Sequence, residues 1–357
     1  MKIAIISVSI CGKKIAQKLC KKLEQDPTIM HVNIFHQDTK NTLNSIFSQY
    51  DAIICVMATG IILRSLCDLI KSKASDPAIL AIDDKGINVI SLLSGHLGGA
   101  NNLTLKVSNI LNSNPVITTS TDINGLIGID ELARKYHWKL MDTEKILNFN
   151  RFILNGEKIQ ILSQNSLKYL SYDNKIKKSY LIVDNIFNIF EHVSNDSVLS
   201  ENENINKILL KMEKNDILAV HNSDFLIIKP KKLVIGIGSR KGISKNRIIN
   251  SINETAKILN FNVDRFDYMA TAEVKKNEEG IMDASVQLKI PLEIISMKNI
   301  KNFESDQIHS SSSFVNKTFG VKGICEPVSL IKAGNNSKLL FKKTSFNGIT
   351  IAVSVSI

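Results

Sequence analysis

At 357 residues, 44% hydrophobic and 22% charged, the chain exceeds one ordinary small domain and has the balance of a globular protein of two or three modules. One tryptophan and 6% aromatic residues argue against stacking platforms for single-stranded nucleic acid. Five cysteines (Cys11, Cys20, Cys55, Cys67, Cys325) with no C-x-x-C spacing indicate neither a zinc site nor a disulfide framework and suit a reducing, cytoplasmic compartment. The formal charge of +11 is uneven: residues 231–357 carry 19 Lys and Arg against 11 Asp and Glu, so the C-terminal third is the part suited to a polyanionic partner.

From the N-terminus, strand-like and helix-like runs alternate: strand Lys2 to Ser9, helix Lys13 to Glu24, strand His31 to Phe35, helix Thr42 to Gln49, strand Ala52 to Met57. This is the pattern of a mostly parallel α/β domain, expected over residues 1–134. The first apolar run is short and passes directly into a basic helix, as a first strand does and a signal peptide does not, and no run approaches a membrane span. Thr59 and Gly60 close the third strand, and Arg64, four residues before Asp68, is either a ligand contact or half of a helical ion pair. Asp83 and Asp84 fall in a hairpin turn, which adjacent acids usually just satisfy.

The sharpest signal is Ile90 to Asn101, an apolar strand that breaks into Ser94-Gly95-His96-Leu97-Gly98-Gly99 and then turns helical from Ala100 to Leu111. The glycines permit positive φ or a close approach of backbone, and the helix is expected to aim free NH groups at the same spot, as an anion or oxyanion requires. Ser94 and His96 stand at its mouth, with Gly95, Gly98, Gly99 and Asn101 as the ligand loop. Strand Pro115 to Thr118 ends in Thr118-Thr119-Ser120-Thr121-Asp122, suited to hydrogen-bonding a ligand through Thr119, Thr121 and Asp122 or to capping a helix. Thr59-Gly60, Ser94 to Asn101 and Thr118 to Asp122 are all expected at strand ends of one sheet, converging on one cleft.

Residues 135–230 are rich in Asn, Lys and Ile, with isolated His137, His192 and His221 and no legible chemistry, and read as a small α/β linking or insert domain. A separate basic α/β domain opens at 231. Strand Leu233 to Ile237 runs into Gly236-Ile237-Gly238-Ser239-Arg240-Lys241-Gly242, with helix Ser244 to Leu259 behind it. The G-x-G-x-x-x-G spacing is wrong for a dinucleotide fingerprint and lacks a P-loop, but Gly238, Arg240 and Lys241 suit a carboxylate or phosphate. Strand Val263 to Tyr268 precedes a charged loop with Lys275 and Glu278 as candidate contacts. Strand Leu292 to Met297 follows, the serines Ser310 to Ser313 open a helix, Glu326 begins another, and Asn347-Gly348 turns a terminal hairpin of Leu339 to Lys343 with Ile349 to Val355.

In order and combination these motifs resemble the cobalt-precorrin-5A hydrolases, the G proteins of the anaerobic cobalamin pathway. The resemblance rests on Ala58-Thr59-Gly60-Ile61 with Arg64, Ser75-Asp76-Pro77-Ala78, Leu92 to Asn101, Thr118-Thr119 with Thr121-Asp122, Gly236-Ile237-Gly238 with Arg240 and Gly242, Ala270-Thr271 with Lys275, Glu278 and Gly280, Ser313 with Val315, and Glu326. It covers nearly the whole chain; Ser239, where the family often has cysteine, and Ser120 are mild departures.

The resemblance implies a hydrolase that opens the δ-lactone between a ring A acetate and the C20 bridge of cobalt-precorrin-5A. C20 then leaves with its methyl group as acetaldehyde, giving cobalt-precorrin-5B. Such chemistry needs an activated water, an oxyanion site and a base. His96, at an ordinary near-neutral pKa, is the expected base, Ser94 a group that orients the water or His96 or, as the lesser alternative, a nucleophile, and the Gly98 and Gly99 NH groups the oxyanion site. Substrate contacts are expected from Thr59, Gly60, Arg64, Thr119, Thr121, Asp122, Gly238, Arg240, Lys241, Lys275, Glu278 and Glu326. No cofactor and no protein-held metal are expected, the cobalt belonging to the substrate. The expected partner is the polyanionic cobalt-corrinoid, with no nucleic acid or membrane; a homodimer and contacts with neighbouring pathway enzymes stay open. The competing readings are a non-catalytic tetrapyrrole- or nucleic-acid-binding protein and, on glycine turns of the wrong spacing, a nicotinamide-dependent dehydrogenase.

Overall fold

Alternating side chains along the first strands dictate a sheet covered on both faces. In β1 (Lys2–Ser7), Ile3 and Ile5 pack with Leu19 and Leu23 of α1 (Ile10–Leu23), while Ala4 and Ile6 pack with Leu43 of α2 (Thr39–Ile46) and Ile62 and Leu66 of α3 (Thr59–Leu66). The computed structural model describes residues 1–73, 75–186, 189, 191, 210–308, 320–321 and 323–357. The helix expected from Ser310 to Ser313, the residues Ser313 and Val315, and His192 lie outside these.

With β2 (His31–His36), β3 (Ala52–Val56), β4 (Ala78–Ile82), β5 (Asn88–Leu93) and β6 (Asn114–Val116), the first sheet has the order β2-β1-β3-β4-β5-β6. β1 to β4 are parallel, β5 is antiparallel to β4, and β6 is parallel to β5. The turn between β4 and β5 is tied by Asp83, whose carboxylate accepts the NH groups of Lys85, Ile87 and Asn88 and is thereby held below the usual range although its burial works the other way.

The reversal at β5 has a functional consequence. β3 and β4 deliver their carboxyl ends, with Thr59, Gly60 and Arg64, to one edge of the sheet. β5 and β6 deliver Ser94 and Thr119 to the opposite edge. The single cleft expected from the sequence is therefore corrected to two separate sheet edges. Arg64 lies against Gly60, 3.4 Å from where a Cβ would stand, and makes no ion pair with Asp68 among the described residues.

Helices α4 (Ala100–Leu111), α5 (Ser120–Ile123) and α6 (Ile129–Lys135) complete this region. Beyond β7 (Trp138–Leu140), helix α7 (Ile146–Leu154), strands β8 (Ile159–Ser163) and β9 (Tyr180–Val183), helix α8 (Asn174–Ser179), and strands β10 (Ile217–His221) and β11 (Asp224–Pro230) form a second sheet. In it β10 pairs antiparallel with β8 and β11, and β9 parallel with β8.

By contacts the chain divides into two compact units, residues 1–134, 140–166 and 173–229, and residues 135–139, 167–172 and 230–357. The middle segment is thus shared between the two and is not a third unit. In the second unit, β12 (Leu233–Ser239), α9 (Lys245–Ile258), β13 (Tyr268–Ala272), α10 (Glu279–Leu288), β14 (Leu292–Ile295), α11 (Met297–Lys301), α12 (Cys325–Ala333), β15 (Lys338–Phe346) and β16 (Ile349–Val355) build a sheet of order β14-β13-β12-β16-β15. Asn347 and Gly348 both have positive φ, the two-residue turn that the sequence predicts. The strand expected over 263–268 lies instead at Tyr268–Ala272. The Asn262 side chain accepts the Asp264 NH and caps a 3-10 turn over Val263–Arg265, so the buried strand begins later.

Candidate active site

At the carboxyl end of β5 the chain turns through Ser94 with φ 57°, a left-handed conformation unusual for a residue with a Cβ. Ala100 and Asn101 donate their NH groups to the Ser94 and Gly95 carbonyls, so the first NH groups of α4 close the loop and are not free for an anion, which corrects the expectation for this helix end. Gly99, with φ 88°, stands where any Cβ would overlap the guanidinium of the half-buried Arg134. A Cβ on Gly95 would stand 2.8 Å from Asn101 Oδ1, so that glycine is required by space.

Asn101, 4% exposed, joins three segments. Its Oδ1 accepts from Ser91 Oγ at 2.6 Å, and its Nδ2 donates to Thr119 Oγ1 at 3.0 Å and to Asp122 Oδ2 at 2.8 Å. An amide so fully used positions its partners by geometry. Thr119 caps α5 only through its backbone position, its hydroxyl being taken by Asn101.

The loop's histidine is held at both ring nitrogens. His96 Nε2 lies 2.9 Å from Asp122 Oδ2 and 3.2 Å from Thr121 Oγ1; Nδ1 lies 3.1 Å from Asp130 Oδ1. The His96 side chain is 8% exposed and that of Asp130 6%. Asn150 on α7 donates to Asp130 Oδ1 at 3.0 Å while its own Oδ1 accepts the Ile129 NH. Burial pulls the imidazole pKa down, but the hydrogen bonds to Asp122 and Asp130 and the charges of Asp130 and Glu131 outweigh it and raise it to about 10. The near-neutral, freely titrating histidine expected from the sequence is therefore corrected: in this arrangement both nitrogens are engaged and the ring is charged at neutral pH. Asp130 is held below its ordinary value, burial being outweighed chiefly by His96. Glu131 is pushed up by burial and by the charge of Asp122, and its Oε2 is buried without a hydrogen-bond partner.

A cavity of about 310 Å³ opens onto this cluster, with Ser94, His96, Thr119, Thr121, Asp130 and Asn150 in its wall. The Ser94 hydroxyl is buried there and unpartnered. Ser94, Gly95, His96, Asn101, Thr119, Thr121 and Asp122 are thus brought together, and Thr59, Gly60 and Arg64 are not. Asp130, Glu131 and Asn150 were not legible as site residues: the acids look like ordinary helix-start charges. The available signal was Asn150, a polar residue on the apolar face made by Ile146, Phe149 and Ile153.

In the second unit, parallel β12 and β13 bring Lys241, Lys275 and Glu278 to one cavity of about 630 Å³. Its lysines Lys241, Lys245 and Lys275 face Glu278, Glu279 and Asp283, so it is less cationic than the sequence implies. Glu278 accepts from Lys275 Nζ at 2.9 Å and from the Gly242 NH at 3.0 Å; these, against its burial, hold its carboxyl low. Arg240 packs against Gly348 of the terminal turn, and Gly238 against Thr350. Neither is part of this wall. Glu326, expected as a substrate contact, is 1% exposed and accepts the Lys343 NH at 2.9 Å.

A mostly parallel sheet with a carboxylate-clamped histidine at a strand end, joined in sequence to a second α/β unit, defines a two-unit α/β protein with a polar cavity in each unit. The chain belongs to the cobalamin synthesis G family. The family's N-terminal model, described as cobalamin synthesis G N-terminal, matches residues 41–122, and its C-terminal model, cobalamin synthesis G C-terminus, matches residues 233–354. Its relatives include the cobalt-precorrin-5A hydrolase of Priestia megaterium, 28% identical over 99% of this chain and 94% of that one. Another, from Methanocaldococcus jannaschii, is named "Probable cobalt-precorrin-5A hydrolase" and is 30% identical over 99% of both. A crystal structure of a cobalamin biosynthesis protein G homolog from Sulfolobus solfataricus superposes with a TM-score of 0.55 at 26% identity, covering 100% of this chain and 97% of that one.

Proposed function

We propose that this protein is a cobalt-precorrin-5A hydrolase of cobalamin biosynthesis, opening the substrate's δ-lactone and releasing acetaldehyde to leave cobalt-precorrin-5B. The observation that carries this reading is the match of 99% of the chain, both units included, to the relatives of that name. The cluster around His96 supports locating the lactone chemistry there. It is a buried polar cluster at the end of a strand, with Ser94 in the wall of its cavity and Thr121 beside the ring to hold a water or a carbonyl oxygen. A cavity of about 310 Å³ is at the small end of ligand sites, so it takes the lactone edge of a corrinoid and not the macrocycle. No helix among the described residues is long and apolar enough to cross a membrane. Cytoplasmic residence belongs to this reading, and the five free cysteines suit it.

The decisive assay is incubation with cobalt-precorrin-5A, with acetaldehyde trapped and the corrinoid weighed by mass spectrometry. Acetaldehyde together with the matching loss of the two-carbon unit is the expected result; an unchanged corrinoid after prolonged incubation with folded protein overturns the reading.

The lysines of the second unit's cavity are proposed to meet peripheral carboxylates of the substrate. Lys241→Ala is expected to raise KM about tenfold, the size of one charge-assisted contact, with kcat kept. KM of the unaltered protein is expected to rise with ionic strength. A KM indifferent to salt and to Lys241→Ala would assign the cavity to another ligand.

A further inference from the structure

We propose that the cluster around His96 is a divalent-cation site, with His96 Nε2 and the carboxylates of Asp122 and Glu131 as ligands. The ligand atoms of these three residues lie within 4.8 Å of one another. The His96 Nε2 to Asp122 Oδ2 separation of 2.9 Å matches the spacing of about 3 Å between neighbouring ligands that share one cation at ~2.1 Å. Sequence inspection finds no metal pattern because the donors come from a loop, a short helix and the start of α6, and only the fold assembles them.

Three further features point the same way. Glu131 Oε2 is buried with no hydrogen-bond donor, and a carboxylate oxygen in that position costs free energy that a cation would recover. The outer contacts are those of a metal-binding histidine. Nδ1 faces Asp130, which Asn150 holds in turn, while Asn101 holds Asp122, so one nitrogen orients the ring and a cation at the other would take the place of the proton that Nε2 shares with Asp122. Ser94, 8% exposed with an unpartnered hydroxyl, lines the cavity that opens onto His96, where a cation-bound water would need a partner.

One imidazole with two carboxylates, and no thiolate, suits a borderline first-row cation such as Mn²⁺, Co²⁺ or Zn²⁺. This cation is distinct from the cobalt that the substrate carries. Resting on the proposed hydrolase reading, its role is to activate water. The oxygen of a cation-bound hydroxide adds to the lactone carbonyl carbon, the bond from that carbon to the ring oxygen breaks, and the departing oxygen takes up the proton that the water gave up. A carboxylic acid and an alcohol would result, the acid then releasing its proton to solvent to leave a carboxylate, with no change of oxidation state.

The test uses the full chain, stripped with chelator and desalted, titrated with MnCl₂ and separately with ZnCl₂ by calorimetry, with no substrate present. One saturable site per chain is expected. Glu131→Gln should lose it, and Asn150→Ala, which removes the support of Asp130 and of the Ile129 NH at the start of α6, should weaken it by about 10–100-fold, with circular dichroism confirming that both variants are folded. No saturable binding of either cation, or equal binding by Glu131→Gln, overturns the proposal. The hydrolase reading is judged separately. Cation binding without acetaldehyde release sinks that reading and leaves the site standing; full acetaldehyde release by chelator-stripped protein removes the cation from the reaction.

Discussion

His96→Gln is expected to lower acetaldehyde release from cobalt-precorrin-5A by roughly two to four powers of ten, the scale of a residue that handles protons or water at a reacting centre. Glutamine is close to histidine in reach but cannot bridge Asp122 and Asp130 through one rigid ring, and it offers no imidazole nitrogen to the cavity. The same change has a structural cost. Asp130, with a side chain 6% exposed, would keep Asn150 but lose its cationic partner, and stranding a buried charge costs about 3–5 kcal/mol. Activity is therefore compared at a temperature where circular dichroism shows the variant folded. Near-normal release from folded His96→Gln would take this ring out of the reaction. Asp130→Asn provides the control: the isostere keeps a hydrogen-bonding side chain beside Asn150, so it should lose less stability than His96→Gln while still losing activity.

That prediction depends on a geometry only partly readable in the sequence. The strands of the first sheet were legible because Ile3, Ile5, Ala4 and Ile6 alternate between two apolar faces, and α4 was legible from its glycine start to Leu111. The direction of β5 carried a signal of its own. Only Asp83 to Ile87 separate β4 from β5, too few residues for a crossover, so the strands must be antiparallel. That short turn excludes a shared cleft for Thr59 and Ser94, because residues at the carboxyl ends of antiparallel neighbours face opposite edges.

The ionisation state of His96 was not legible at all. Burial alone would lower its pKa; the direction is reversed by Asp122, 26 positions away, and Asp130, 34 positions away. No local pattern links them, since Asp130 and Glu131 sit in the first turn of α6, where acids need no further explanation. In the second unit the sequence located the right loops but overstated their charge. It took Lys275 and Glu278 as separate substrate contacts, whereas the two pair with each other at 2.9 Å.

In the second unit, Arg265→Leu is expected to lower stability by about 3–5 kcal/mol, read as a fall in the urea midpoint and in the thermal midpoint. Arg265 is 2% exposed, and its guanidinium donates from Nε to the Tyr136 carbonyl at 2.8 Å, from Nη2 to the Lys231 carbonyl at 2.6 Å, and from Nη1 to Asp267 Oδ2 at 2.9 Å. It thereby ties the short segment 135–139 to the start of β12 and to the turn before β13. Replacing a buried ion pair by an apolar residue is often neutral, because both charges are removed together. Here two of the three acceptors are backbone carbonyls, which no side-chain substitution removes, so leucine deprives them of this donor at sites that water reaches poorly. Asp267, 41% exposed, can turn to solvent and also keeps the Leu233 NH at 2.7 Å, so Asp267→Asn should cost much less than Arg265→Leu. Equal losses from the two substitutions would mean that the ion pair dominates and the backbone contacts contribute little. An Arg265→Leu protein as stable as the original would mean that the two carbonyls find other donors.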